Sequence, residues 1–232
     1  GSTDGSAEYL KTNFPNLKVV MNKKNMGFGY SCNRGVREAK NGLIILLNND
    51  VILTENFLYP LIRHFKDEDI FAVYPKIYGW DKNTFTHGMN MGEIRDGYVW
   101  IWNEAHTQNK EKIYQASPSI YAIGGMMVFR KNDFIWLDGF DEIYKPYCWE
   151  DIDICYRAWK RGLTVLYEPD SMAYHKGHGS IGSYERYIEV KNEILFIWKN
   201  ITDNRILAQH LNLLPWNVCR FGVSFLKGFS AP

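Results

Sequence analysis

Long hydrophobic runs are missing from this chain. Runs such as Leu43–Leu47 and Met126–Phe129 fall far short of the roughly 20 apolar residues that span a bilayer, so no segment reads as membrane-spanning. Cysteine is scarce: Cys32, Cys148, Cys155 and Cys219 show neither C-x-x-C spacing nor the density of a secreted disulfide scaffold, and reduced thiols in a cytosolic compartment are the default reading. An excess of one charge is also missing. With 27 Lys and Arg against 26 Asp and Glu, a net charge of +1 and no basic run, the chain lacks the electrostatic footprint of a nucleic-acid binder. Internal repeats, low-complexity tracts and a secretory signal are absent, and the chain opens on Gly1-Ser2 without Met, the mark of a longer parent protein or a cloned fragment. What is present is 232 residues, 46% hydrophobic and 16% aromatic, enough for one sizeable domain that buries roughly 70% of its unfolded surface.

Short β-prone runs alternate with helical periodicity. Leu17–Met21 and Gly42–Leu47 read as strands, the second ending abruptly at Asn48-Asn49-Asp50, and a helix-compatible stretch to Lys40 lies between them. Thr54 is placed to cap a helix whose Leu58, Leu61, Ile62 and Phe65 share one face. Phe71–Tyr74 reads as a strand stopped by Pro75. From Gly79 to Ser119 the pattern loosens into short strands or a long loop. Tyr121–Phe129 reads as a strand interrupted by Gly124-Gly125, where missing side chains let another group approach closely. Asp151–Arg161 is the cleanest helix, with an Ile152, Cys155, Tyr156, Trp159 stripe and Gly162 behind it. Val165–Tyr174 supplies one or two short strands, and Tyr184–Lys199 a last strong helix with Tyr187, Val190, Ile194 and Trp198 on one side. The alternation indicates an α/β domain with a mainly parallel sheet.

Three constellations can carry chemistry, and each has two readings. Asn48-Asn49-Asp50 ends a strand, where open α/β sheets bind ligands; its oxygens suit Mg²⁺ or Mn²⁺ on phosphates, and equally are ordinary turn residues. Trp149-Glu150-Asp151-x-Asp153 opens a helix, where acids either complement the dipole or supply a base beside a substrate hydroxyl. His175, with His178 beyond it, is either structural or joins Asp50 on a phosphate-bound cation; a zinc site with Cys148 and Cys155 lacks the usual spacing.

Taken in order, Gly1 to Ser6, Asn25-x-Gly27-Phe28 with Asn33 and Gly35, Leu46 to Val51, Gly124-Gly125 with Arg130, Gly139 to Glu142, Glu150-Asp151-x-Asp153 with Arg157 and Gly162, and Pro169 with His175, Gly179 and Ser180 resemble family 2 glycosyltransferases of the rhamnosyltransferase-like group. The resemblance runs to about Lys199. It implies a GT-A fold, a mixed and mainly parallel sheet flanked by helices, over residues 1–200, with residues 201–232 a helical tail that lies in a membrane interface, packs on the domain or packs on a missing segment. The implied reaction moves a sugar, with inversion, from a nucleotide-diphosphate sugar to a saccharide or lipid-linked saccharide acceptor in cell-surface polysaccharide synthesis at the inner face of the membrane.

The resemblance also implies roles. Asp50 holds Mn²⁺ or Mg²⁺ on the diphosphate, with His175 close to the metal and Asn48 and Asn49 on the donor side; Asn48 stands where the acidic form of the motif has a carboxylate. Asp151, beside Glu150, is the base. Asn25, Gly27, Phe28 and Asn33 shape the donor pocket, and Trp149, Gly124 and Gly125 face the acceptor. Rhamnose from a deoxythymidine diphosphate leads the donors, ahead of hexoses from uridine diphosphate. A catalytically inactive sugar- or protein-binding domain and a nucleotidyltransferase are the alternatives; the first need not keep Asp50, Asp151 and His175, and the second calls for a Gly-rich basic signature near the start. In the resembling family a first strand and an Asp-Asn pair precede the Gly-Ser-Thr-Asp-Gly-Ser segment, so the chain as given is expected to bind donor weakly or not at all until roughly 30 to 40 upstream residues, the length of one βαβ unit, are restored.

Overall fold

Leu43–Leu47, a run of β-branched and leucine side chains, forms strand β1 at one edge of the central sheet of a computed structural model that describes residues 1–103, 114–177 and 183–229, the side chains of 183–185 and 217–229 aside. Ahead of β1 come helices α1 (Ser6–Asn13) and α2 (Phe28–Glu38). After it come β2 (Val51–Leu53), α3 (Leu58–Ile62), β3 (Ile70–Gly79), β4 (Phe85–His87), β5 (Asn90–Arg95), β6 (Tyr98–Asn103), β7 (Ser117–Pro118), β8 (Met126–Arg130) and α4 (Lys131–Trp136). Helix α5 (Glu150–Trp159), β9 (Thr164–His175), α6 (Ser183–Asn200) and α7 (Asn204–Phe229) complete the order.

The sheet order is β1-β8-β3-β9-β2, with β4 on β3 and β7 on β9. It is mixed, as expected, but not mainly parallel: only the β3–β9 pairing is parallel among the described residues. The expectation was half right for a physical reason. Strands β1, β3 and β9 do point the same way, as crossover connections demand, yet β8 runs antiparallel between β1 and β3 and separates them. Strand alternation in a sequence carries direction, not neighbours.

Several local expectations fail where tertiary contacts override them. Leu17–Met21 forms no strand; the Met21 carbonyl accepts Arg34 Nη1 at 2.5 Å and Lys18 Nζ reaches Glu38, so side chains of α2 tie the segment down without a β ladder. Thr54 caps nothing. Its hydroxyl donates to Met172 O at 2.8 Å, and the helix starts later at Leu58. Pro75 does not stop its strand, because β3 continues to Gly79 through a register shift between Pro75 and Lys76, the kind of irregularity that tolerates a missing N–H. β9 is one long strand past Pro169. Helix α6 buries Ile188, Asn192, Phe196 and Ile197, while Tyr187 and Trp198 are exposed.

The core has one large cluster between the sheet and helices α2, α4 and α5, including Phe71, Tyr74, Phe129, Phe140, Ile154 and Tyr167. A second lies under α3, around Leu61, Val73 and Ile77. A third joins Tyr144, Trp149, Phe196 and Ile197 to Val99 and Ile101 of β6. Asp153, wholly buried, is the hub between these layers: it accepts Tyr144 Oη at 2.9 Å and Asn200 Nδ2 at 2.8 Å, and pairs with Arg157 at 2.6 Å and Lys199 at 2.9 Å. β5 and β6 form a separate hairpin closed by Asp96-Gly97, both at positive φ, the turn that Asp-Gly favours.

Candidate active site

The turn Asn48-Asn49-Asp50 joins β1 to β2 and is clamped on both sides. Asn48 N donates to Gly125 O at 2.8 Å, and Lys176 N donates to Asp50 O at 3.0 Å. Because Val51 pairs with His175 across the β2–β9 ladder, residues far apart in sequence meet: His175 Nε2 lies 3.2 Å from Asp50 Oδ2, each side chain about a quarter exposed. A carboxylate and an imidazole at that spacing fit neighbouring positions on one octahedral cation with bonds of about 2.1 Å. Among the described residues no third His, Cys, Asp or Glu joins them, so a cation held here takes its other ligands from phosphate and water.

Gly124 and Gly125 stand between this turn and the acids of α5. A Cβ on Gly125 would sit 2.4 Å from Asn48 Nδ2, and one on Gly124 would sit 3.2 Å from Asp151 Cβ. Glycine at both positions lets these two groups of residues approach each other closely. Gly124 N donates to Asp151 Oδ2 at 3.0 Å, and Ile152 N donates to Asp151 Oδ1 at 2.9 Å.

The two adjacent acids differ in environment. Burial pushes the Glu150 carboxyl up to about 8, with the Asp151 charge adding to the effect, and Glu150 Oε2 has no hydrogen-bond partner among the described residues. Burial raises Asp151 as well, against the lowering pull of its backbone donors. Those two N–H groups favour negative charge on Asp151, so the proton the pair retains near neutral pH sits on Glu150. Desolvation raises the basicity of the Asp151 carboxylate while its two backbone donors hold it in place. Burial, with the Asp151 charge second, also raises the Tyr121 hydroxyl, a neighbour that the sequence did not single out.

The other residues of the sequence reading sort into three groups. Asn25 Oδ1 accepts Gly27 N at 3.0 Å, and Gly27, at φ 88°, brings the chain against Pro146, whose carbonyl accepts Phe28 N at 2.8 Å. Phe28 lies close to Gly124 and stacks obliquely on Phe140. This loop therefore borders the Gly124 turn. Asn33 does not: both ends of its amide are spent on the Phe140 backbone, at 2.7 and 2.8 Å, which makes it a core tie between α2 and the Gly139–Phe140 turn. Trp149 is likewise not an open acceptor surface. It is 7% exposed, packed on Phe196 in the third cluster, because the backbone at Cys148 and Trp149 turns through positive φ and directs the indole inward. Asp153 is structural, as shown above, and Asn49 is exposed in the turn. Burial raises the Cys148 and Cys155 thiols. His178, Gly179 and Ser180 lie outside the described residues.

The tail begins as a packed element. His210 is buried, its Nδ1 3.0 Å from Gly97 O, and Ile206 and Leu207 join the third cluster. Among the described residues no helix is long and apolar enough to cross a membrane.

Comparison with known proteins agrees with this geometry. The profile of "Glycosyl transferase family 2" matches residues 1–136, and that of the "N-terminal domain of galactosyltransferase" matches residues 106–178. The chain is 26% identical to the rhamnosyltransferase WbbL of Escherichia coli over 66% of its own length and 61% of that protein's. It is 24% identical to human polypeptide N-acetylgalactosaminyltransferase 14 over 79% of its length and 36% of that protein's. It thus spans under two thirds of these relatives. A solved mannosyltransferase from Pyrobaculum calidifontis, in complex with GDP-Man and Mn²⁺, superposes with a TM-score of 0.62 at 15% identity over the whole chain and 64% of its own. GalNAc-T7 with UDP, GalNAc and Mn²⁺ superposes at 0.60 and 20% identity, over 84% of this chain and 38% of its own. With its family profile covering more than half of the sequence and its sheet shared with these structures, the chain is a GT-A-fold member of glycosyl transferase family 2.

Proposed function

We propose that the chain transfers a sugar, with inversion, from a nucleotide-diphosphate sugar to an acceptor hydroxyl, with Asp50 and His175 on the donor side and Asp151 on the acceptor side. The observation that carries the reading is the Gly124-Gly125 pair, bonded through one residue to Asp151 and through the next to the Asp50 turn. Two chemistries are thereby held on either flank of one short backbone segment, as a single displacement requires. In the step, the acceptor oxygen forms a bond to the anomeric carbon as the bond from that carbon to the diphosphate oxygen breaks; the acceptor proton passes to Asp151, and the diphosphate leaves with the bonding electrons. Asp50 and His175 would hold Mn²⁺ or Mg²⁺, which would supply charge neutralisation at the leaving diphosphate. Asp151 holds its geometry through the Gly124 and Ile152 N–H groups, and Glu150, protonated, leaves the site with one negative charge instead of two. Asn25, Gly27 and Phe28 border the donor side.

Likeness to rhamnosyltransferases, among them a Mycobacterium tuberculosis N-acetylglucosaminyl-diphospho-decaprenol L-rhamnosyltransferase, supports a lipid-linked saccharide acceptor met at a membrane surface. Likeness to N-acetylgalactosaminyltransferases keeps uridine diphosphate donors in the panel. The intact Asp50, His175 and Asp151 set weighs against a sugar-binding domain without activity. Hydrolysis of deoxythymidine, uridine and guanosine diphosphate sugars with Mn²⁺ is the test. In the full-length protein, turnover of at least one donor that stops with chelator is expected, and no turnover or binding of any donor there overturns the reading.

A further inference from the structure

The two residues just ahead of Glu150 and Asp151 hold a backbone conformation that side chains disfavour. Cys148 and Trp149 lie at φ 78° and 79°, in the left-handed region where a Cβ crowds the backbone and a bulky residue is an outlier. The pair forms the corner that turns the chain into α5, and Trp149, at the helix N-cap, makes no side-chain capping bond. The first bond of the helix runs from Asp153 N to Trp149 O at 2.9 Å. Asp151 follows the corner by two residues, so the direction in which the corner turns sets where its carboxylate lies. Conformations of this kind persist where the surroundings over-determine them.

Those surroundings lie on α6, and one side chain supplies most of the hold. Asn192 is wholly buried. Its Nδ2 donates to Cys148 O at 2.8 Å and to Tyr147 O and Tyr144 O at 2.9 Å each, two protons shared among three carbonyls. The Tyr147 and Cys148 carbonyls belong to the two peptide units on either side of the Cys148 Cα, so a single amide group holds that residue at both of its backbone dihedrals. Asn192 Oδ1, by contrast, is buried without a hydrogen-bond partner among the described residues. A buried acceptor left unpaired costs stability, so this side chain is placed for what its nitrogen holds. Two neighbours on the same helix reinforce it: Lys191 Nζ donates to Lys145 O at 2.6 Å, and the Phe196 ring packs on Trp149 with centroids 5.2 Å apart.

We propose that Asn192 is a positioning residue for the transfer reaction: by holding the Cys148–Trp149 corner in its left-handed conformation it aims the first turn of α5, and with it Asp151, at the acceptor hydroxyl. The proposal rests on the glycosyl-transfer reading and adds to it a residue of α6 that touches no reacting atom and acts through the backbone. The Asp50 turn is held separately, by the Asn48 N–H on Gly125 O, the Lys176 N–H on Asp50 O and the β2–β9 ladder, so loss of Asn192 displaces the base before the donor side. Glycine adopts positive φ without a Cβ penalty, which gives the role a signature: Cys148→Gly should replace what the Asn192 amide does.

The test follows three readouts in the full-length protein: hydrolysis of deoxythymidine, uridine and guanosine diphosphate sugars with Mn²⁺, donor affinity by calorimetry, and hydrogen exchange at the Gly124 and Ile152 amides, the two backbone donors to Asp151. Asn192→Ala should lower turnover about ten- to a hundredfold, leave donor affinity near that of wild type and speed exchange at both amides. Cys148→Gly alone should keep wild-type turnover, and Cys148→Gly combined with Asn192→Ala should recover most of the lost turnover and protection. Ile197→Ala, which removes equally buried packing from the same helix, should not be rescued by Cys148→Gly. Wild-type turnover and exchange in Asn192→Ala overturn the inference, as does a double variant no better than Asn192→Ala, or equal rescue of Ile197→Ala. Where Asn192→Ala does not fold, Asn192→Ser, which keeps one donor, carries the same comparison. If wild type turns over no donor, the glycosyl-transfer reading fails, and exchange at the two amides by itself decides whether Asn192 holds Asp151.

Discussion

Asp151 accepts the backbone N–H of Gly124 at 3.0 Å, while the very next residue, Gly125, accepts the N–H of Asn48 at 2.8 Å. A single peptide unit thus sets the distance between the proposed base and the proposed cation turn. Displacing either contact changes catalysis before it changes the fold.

Asp151→Asn keeps an acceptor for the Gly124 N–H but removes the base. Transfer should fall by about 10² to 10⁴, with donor affinity within a few-fold of wild type. Steady-state transfer together with donor titration checks this, and transfer within threefold of wild type would reassign the base.

Asp50→Ala should abolish the Mn²⁺-dependent part of donor binding. His175→Ala should weaken it without erasing it, because an imidazole is one neutral ligand where the carboxylate also brings charge. Calorimetric titration with and without chelator measures both; identical donor affinity in the two conditions for wild type would remove the cation from the mechanism.

Gly125→Ala puts a Cβ 2.4 Å from Asn48 Nδ2 and 2.6 Å from Asn48 Cγ. The Asn48 amide, beside the Asp50 turn, must move. Donor affinity should drop about tenfold or more with a small change in Tm, since the loss of turn geometry is local. Wild-type donor affinity in this variant would show that the turn does not position the donor.

Glu150→Gln tests the buried acid through pH. The Glu150 carboxyl is raised in the folded chain, to about 8, above an unfolded value of about 4.3. Between these values the folded chain holds a proton that the unfolded chain has released, so stability falls as pH rises. The variant should lose that slope and unfold at higher denaturant than wild type near pH 8. Chemical denaturation at pH 5 and pH 8 reads the difference, and parallel slopes for both proteins would place the retained proton elsewhere.

Asp153→Ala leaves Arg157 and Lys199 without their shared carboxylate in the interior. Breaking one partner of such a buried network costs about 3 to 5 kcal/mol, a fall in Tm on the order of 10 °C for a chain of this size. Thermal unfolding checks it, and a change under 2 °C would contradict the network's structural role.

Local patterns in the sequence were enough to reveal the α/β alternation, the acidic start of α5 and the turn that ends β1, because each depends on neighbours along the chain: a hydrophobic run, dipole-favoured acids, residues that tolerate a turn. The Asp96-Gly97 hairpin was legible too, from Asp-Gly between strand-forming runs, though the segment read only as short strands or a loop. Local pattern alone did not separate the three acids of α5; the family resemblance pointed to Asp151. Asp151 and Asp153 sit two positions apart on α5, yet one meets the Gly124 N–H and the other is consumed by Arg157 of its own helix, by Tyr144, and by Lys199 and Asn200 of α6. Trp149 and Asn33 likewise match a family motif and are spent on the core. Sequence determined the kinds of group available and their order; only the tertiary structure decided that β8 inserts between β1 and β3, that Val51 pairs with His175, and hence that Asp50 has a partner. The reason is that burial and pairing are set by contacts between residues from tens to more than a hundred positions apart, whose free energy no local pattern contains.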